Sequence, residues 1–231
     1  MIRSAADRGK TNLGWLDSRH SFSFGQYQHP EHNGFGPLRV INDDRVDPKL
    51  GFAEHPHRDM EIISYVVEGE LAHKDSTGTE SVVSAGGVQR MSAGSGVRHS
   101  EFNPSRENPV RFLQIWIEPA STGIEPSYEE VRVDAKQRPG ELVLFASKAG
   151  RDGSAVVHQD AELYAAVLRP GDRIEHAIAP ERRVWVQVVR GSLSVADEAV
   201  SEGDGVAVID ESALELVAGD GESEVLLFDL V

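Results

Sequence analysis

The sequence predicts an all-β protein built from two jelly-roll-type β-barrels in one chain. Three observations carry that expectation. Short segments rich in valine, isoleucine and aromatic residues recur at even spacing along the 231 residues, bounded by glycine and proline turns. Apolar residues almost nowhere recur at helical spacing. The second half also repeats the first in outline. Val66-Val67-Glu68-Gly69-Glu70-Leu71 aligns with Val188-Val189-Arg190-Gly191-Ser192-Leu193, and Val83-Ser84-Ala85-Gly86-Gly87-Val88 with Val200-Ser201-Glu202-Gly203-Asp204-Gly205.

Composition narrows the class. The chain is 39% hydrophobic, enough for one large or two modest cores. It carries 23 Lys and Arg against 38 Asp and Glu, a formal net charge of -15. Such a surface repels phosphate backbones and anionic lipid, so neither direct nucleic-acid binding nor membrane binding is expected. There is no cysteine, hence no disulfide framework and no thiolate chemistry. Met1 to Lys10 lacks the apolar run of a signal peptide, and no apolar stretch approaches a membrane span. The expected location is the cytoplasm.

The elements follow in order. His20-Ser21-Phe22-Ser23-Phe24 alternates aromatic and polar residues and reads as a half-buried strand. Gln28 to Pro37 is loop, with His29 and His32 expected in solvent. Leu38 to Val46 is a strand with a polar end, where Asp43-Asp44 suits a strand-end turn. Met60 to Glu68 is a strong strand by its β-branched and aromatic content. Gly69 ends it, Leu71 to His73 begins its partner, and Asp75-Ser76-Thr77-Gly78 is a hairpin turn with His73 solvated at its flank. Phe112 to Ile117 is a continuous apolar run, which fits a strand covered on both faces. Glu118 to Gly140, with three prolines, links two domains, 1–125 and 126–231. Tyr128 to Ala135 is a short extended piece of it, and a weak helical signal lies near Pro126 to Glu130.

Two segments carry the chemistry. Glu54-His55-Pro56-His57 sets two imidazoles at i and i+2, on one face of an extended strand and roughly 7 Å apart along it. Pro56 suits that backbone and is barred from a helix interior. His99-Ser100-Glu101, after the turn Gly94-Ser95-Gly96, repeats the spacing with one imidazole and one carboxylate. A barrel that brings these strands together converges three nitrogens and one oxygen on a single divalent transition ion, at about 2.0–2.2 Å each. Fe, Cu, Ni, Mn and Zn all suit such a set. If the pleat runs unbroken, Glu61, Ile63, Tyr65 and Val67 also face inward, which makes Glu61 a rival to Glu101 and puts Tyr65, Val67 and Met91 on the inner wall. The repeat offers only His176 in place of the pair, and Leu214 and Leu216 in place of His99 and Glu101. The second barrel is therefore expected to hold no metal, and His158 to be a hydrogen-bonded structural residue.

At these residues the sequence resembles the cupin superfamily and, within it, the pirin family. The first cupin motif is approximated by Gly51, His55, His57, Glu61 and Gly69, and the second by Gly87, Gly96, His99 and Asn103, with Gly94 where proline is usual. The pirin resemblance spans Gly14-Trp15-Leu16-Asp17, Leu38 to Asp44, His55 to Glu61, Ser92 to Glu101 and Gln114-Ile115-Trp116. It implies a bicupin with one metal, in the N-terminal barrel, held by His55, His57, His99 and Glu101, and Glu61 kept as a pocket carboxylate. It also implies a quercetin 2,3-dioxygenase activity: a flavonol is opened at its central ring by O2, carbon monoxide is released, and Glu101 takes the hydroxyl proton. Two other readings stand beside it. One is a metal or redox sensor that acts without catalysis through a protein partner; the other is a cupin enzyme acting on a different small metabolite.

Overall fold

A computed structural model describes residues 1–231. Strands dominate, and three short 3-10 turns, Ala5–Asp7, Ala135–Gln137 and Arg151–Gly153, are its helical segments. No helix is long and apolar enough to cross a membrane. The extended piece expected over Tyr128 to Ala135 prevails over the helical signal near Pro126 to Glu130: Ser127–Arg132 is a strand and pairs antiparallel with Gly87–Ser92. Strand pairing satisfies its backbone groups and drops Tyr128 against buried partners.

The chain divides into two compact units. One comprises Gly9–Arg132 and Ala155–Gln159; the other comprises Met1–Arg8, Val133–Ser154 and Asp160–Val231. This differs from a cut between 125 and 126. The first residues join the second unit because Ile2 and Arg3 pair with Val206 and Gly205. Ser127–Arg132 stays with the first unit because its partner strand lies there.

Each unit has one large and one small antiparallel sheet. In the first unit the large sheet runs in the order 127–132, 87–92, 61–68, 110–117, 38–46, 16–20, 9–12, and the small one 51–57, 97–102, 70–75, 80–84. In the second unit the order is 2–3, 205–208, 183–190, 223–230, 161–168, 143–147, and the small sheet 173–177, 213–218, 192–195, 198–201. The two orders match strand for strand over most of their length, so the weak repeat in the sequence is a repeat of topology. Gly69 and Gly191 occupy the same turn, both at φ +74°. A Cβ at Gly69 would lie 2.9 Å from the Pro109 carbonyl oxygen, and one at Gly191 2.4 Å from that of Glu222. Only glycine fits there.

Two local readings are corrected. The Leu38–Val46 strand runs through Asp43 and Asp44 without turning. Asp43 makes a two-pronged ion pair with Arg111, and Asp44 is buried. The strand expected over His20 to Phe24 lies earlier, at Leu16–His20. His20 is buried at its end, and Phe24 makes only an isolated bridge to Tyr27.

Candidate metal centre

The small sheet of the first unit brings the two histidine segments side by side. Gly51–His57 pairs antiparallel with Val97–Phe102, with His55 opposite His99 and Phe52 opposite Glu101. Three residues of one strand thus span two of the other, a β-bulge between His99 and Glu101. The bulge turns the Ala53 carbonyl toward the His55 ring, whose Nδ1 lies 2.8 Å from that oxygen. A carbonyl only accepts, so Nδ1 carries the proton and Nε2 keeps its lone pair. That Nε2 stands 3.2 Å from His99 Nε2. Ligands at about 2.0–2.1 Å from one ion are about 2.9–3.4 Å apart at octahedral or tetrahedral angles, so this spacing fits. The His57 ring centroid lies 4.7 Å from that of His55 and 4.9 Å from that of His99.

His55, His57 and His99 each offer an atom, and these atoms all lie within 4.8 Å of one another. Glu101 belongs to a second, overlapping group of the same span, formed with His99 and His73. Its carboxylate is 2% exposed and held from three sides. Ser64 Oγ and Gln89 Nε2 donate to Oε1, and Gln114 Nε2 donates to Oε2 at 2.7 Å. Glu61 stands outside both groups. Its carboxylate accepts from Ser92 Oγ at 2.8 Å and lies 3.2 Å from His158 Nδ1. The pleat is reset between the segments, where Asp59 adopts a left-handed φ of +49°. Ser64 and Val66 then face the interior, and Glu61, Tyr65 and Val67 face the other way. Of the inner-wall residues expected from parity, Met91 alone packs with the interior residue Ile62.

Electrostatics prepare the imidazoles for a cation. Burial, then the neighbouring His99 and His55, pushes His57 down to about 4. Burial, then His55 and His73, pushes His99 down to about 3. Both are neutral at pH 7, the form that binds a metal ion.

His73, expected in solvent, is 2% exposed. Its Nε2 lies 3.0 Å from Asp75 Oδ2, and its ring stacks on Tyr128 at 4.6 Å. Burial raises the Asp75 carboxyl, but hydrogen bonds from His73, Thr77 and Thr79 outweigh it and hold the group at about 2. Tyr128 in turn donates to Gln89 Oε1 at 3.2 Å.

The site opens on a cavity of about 390 Å³, within the size range of small-molecule pockets. Leu16, Phe24, Phe52 and Trp116 give it an apolar wall. Trp116 stands edge-on to His57, with ring centroids 5.1 Å apart. Ser18, His20, Asn42 and Asp44 add polar groups to its lining. Burial raises Asp44 most, Asp43 and Glu101 add to it, a hydrogen bond with Ser18 opposes it, and the group sits at about 7. Its Oδ1 is buried without a hydrogen-bond partner. Sequence reasoning missed His73, Gln89, Gln114 and Asp44. The usable signal was Gln114, a lone amide inside the apolar run Phe112 to Ile117.

Residues 2–117 match the profile of the family described as Pirin. The chain belongs to the pirin family. Residues 144–230 of this pirin match a second profile, the quercetinase C-terminal cupin domain. It is 51% identical over 229 residues to the quercetin 2,3-dioxygenase of Escherichia coli (strain K12), covering 99% of this chain and 97% of that one. It is 42% identical to a putative quercetin 2,3-dioxygenase of Pseudomonas aeruginosa over 223 residues, 96% of this chain and 95% of the other. The crystal structure of the bacterial pirin YhhW of Escherichia coli in complex with nickel(II) superposes with a TM-score of 0.94. The two are 48% identical, over 100% of this chain and 98% of that one. This pirin is thus a bicupin whose first barrel carries a His/Glu cluster able to bind one metal ion.

Proposed function

We propose that this chain is a metal-dependent dioxygenase that opens the central ring of quercetin or a related flavonol with O2 and releases carbon monoxide. The observation that carries the reading is the convergence of three imidazoles, two of which, His55 and His57, line a cavity walled by apolar side chains. The names of the relatives support it. In this reading His55, His57 and His99 hold the ion, with Glu101 as the fourth ligand. When bound there, such an ion would supply Lewis-acid and redox chemistry to the substrate.

The rest is done by the chain's own groups. Glu101 receives the flavonol hydroxyl proton at a carboxylate oxygen, while Ser64 and Gln89 hold its Oε1 and Gln114 holds its Oε2. Phe24, Phe52 and Trp116 take the flat rings edge or face on and exclude water.

The test is to strip the purified protein of metal and reload it separately with nickel, iron, copper, manganese and zinc. Loss of the flavonol absorbance together with carbon monoxide evolution is expected with at least one of them. Stoichiometric metal binding with no turnover of any flavonol refutes the reading and supports a metal-sensing protein with a protein partner.

A further inference from the structure

We propose that Asp75 and His73 form a relay that fixes the tautomer of His99 and so turns His99 Nε2, as an acceptor, into the metal site. His73 and Asp75 are positioning residues in this account and touch neither ion nor substrate.

Proton bookkeeping leads to it. Asp75 Oδ1 accepts from Thr77 N at 2.8 Å, from Thr77 Oγ1 at 2.6 Å and from Thr79 N at 3.2 Å. The carboxylate is therefore anchored, and its Oδ2 is aimed at His73 Nε2, 3.0 Å away. A carboxylate only accepts, so the proton of a singly protonated His73 ring sits on Nε2 and its Nδ1 is bare. That Nδ1 is 3.4 Å from His99 Nδ1. Two bare nitrogens in contact repel, and one proton between them binds, so His99 carries its proton on Nδ1. Its Nε2 is left bare and faces His55 Nε2, itself bare because Nδ1 donates to Ala53. Carboxylate, imidazole and ligating imidazole then form a chain one residue longer than the usual carboxylate–histidine pair behind a metal. Stacking on Tyr128 fixes the His73 ring plane.

The second barrel supplies an independent observation. Glu101 lies opposite His73 in the first unit, and Leu216 lies opposite Val195 in the second. His73 has thus become valine in the barrel where His99 has become leucine. An imidazole kept only to fill space has no reason to follow the ligand in that way.

Asp75→Asn tests it. The three donors on Oδ1 hold the amide oxygen in place, so the new NH2 faces His73 Nε2 and donates to it. His73 must then carry its proton on Nδ1, which in turn forces the His99 proton onto Nε2. Long-range 1H–15N spectra of the metal-free protein are expected to show His99 protonated at Nδ1 in the wild type and at Nε2 in the variant. Nickel(II) affinity by calorimetry is expected to fall about 10- to 100-fold, as for other residues behind metal ligands. Unchanged tautomers, or an affinity within twofold of wild type, overturn the relay. Where Asp75→Asn does not fold, His73→Phe keeps the stacked ring and removes the acceptor; the same fall in affinity at unchanged stoichiometry is expected. Loss of one metal per chain there would make His73 a ligand and overturn the relay. The affinity arm rests on the proposed metal site, and the tautomer arm does not. Wild-type protein that binds no nickel(II) therefore sinks that site, and the spectra alone then decide the relay.

Discussion

Replacing Asp44 by asparagine should stabilise the protein, by an amount that depends on pH in a defined way. The Asp44 carboxyl sits at about 7 against 3.8 in the unfolded chain, with burial as the main cause. The acid is raised, so the folded state holds its proton more tightly than the unfolded state. Its contribution is whole below about pH 3.8 and is lost as pH climbs through 7. About three pK units at about 1.4 kcal/mol each set the scale. Ionisable aspartate at this position therefore costs about 4 kcal/mol at pH 7.5, about 2 at pH 5.5 and under about 1 at pH 4. The isosteric amide has no such dependence. Both proteins weaken below about pH 6, because the unfolded chain takes protons on His57 and His99 that the fold refuses until about 4 and about 3. That loss is common to both and cancels in the comparison. Urea denaturation of the metal-free wild type and Asp44→Asn at pH 4.5, 5.5, 6.5 and 7.5 reads the difference. A variant no more stable than wild type at pH 7.5, or a gain that stays flat across the range, refutes the reasoning. A gain of the expected shape marks Asp44 as a group kept at the expense of stability, which is the pattern of functional sites.

Other outcomes follow from the same geometry. His99→Ala should abolish both metal binding and flavonol turnover, read by metal analysis and absorbance, whereas removing His158 should leave metal content unchanged. Gln114→Leu or Gln89→Leu removes one donor from the buried Glu101 carboxylate; turnover should fall about 10- to 100-fold, from about 1.5–3 kcal/mol for a hydrogen bond to a charged group. Gly191→Ala places a Cβ 2.4 Å from the Glu222 oxygen at φ +74°, and should lower thermal stability by about 2 kcal/mol or more; Gly69→Ala, with 2.9 Å of room, should cost less. Copper(II) should quench tryptophan fluorescence through Trp116, 5.1 Å from His57, and Trp116→Phe should remove that quenching.

How much of this was legible depends on whether a feature is local. The two histidine segments are local. Strand periodicity and one proline suffice to set His55 beside His57, and the second segment needs only its own alternation. The duplication is also local, since glycine turns recur in the same order. Whatever depends on which strand lies opposite which was hidden. Extrapolating the pleat from His57 to Tyr65 failed because one left-handed residue, Asp59, resets it. His73 looks like a polar residue beside a hairpin until its strand is seen to pair with Val97–Phe102, which covers it. Asp43-Asp44 has turn chemistry, but pairing with a strand on either side and the ion pair from Arg111 keep that stretch extended. Strand 127–132 was legible only as a short extended piece over Tyr128 to Ala135, because its partner, Gly87–Ser92, is remote in sequence.

Register also explains why one barrel kept a site and the other did not. Ser64 pairs with both Gln89 and Gln114 in the first unit, and Val186 pairs with Val206 and Leu227 in the second. The three donors to Glu101 are thus replaced by three aliphatic residues at the same lattice points. Phe112 faces Asp44, and Val225 faces Ala166. His57 corresponds to Ile178, His99 to Leu214, Glu101 to Leu216 and His73 to Val195, and all of these apolar residues lie in one core cluster of the second unit. Only His176 survives from the proposed ligand set, and its Nε2 lies 2.8 Å from Asp229 Oδ2. Piecemeal loss would leave buried carboxylates and amides without partners, at about 1–3 kcal/mol for each. A half-satisfied polar network is worse than an apolar core. The second barrel therefore had two stable states open to it, the whole network or none of it, and the first barrel's unpartnered Asp44 oxygen and open cavity are the signs that it kept the network for work rather than for stability.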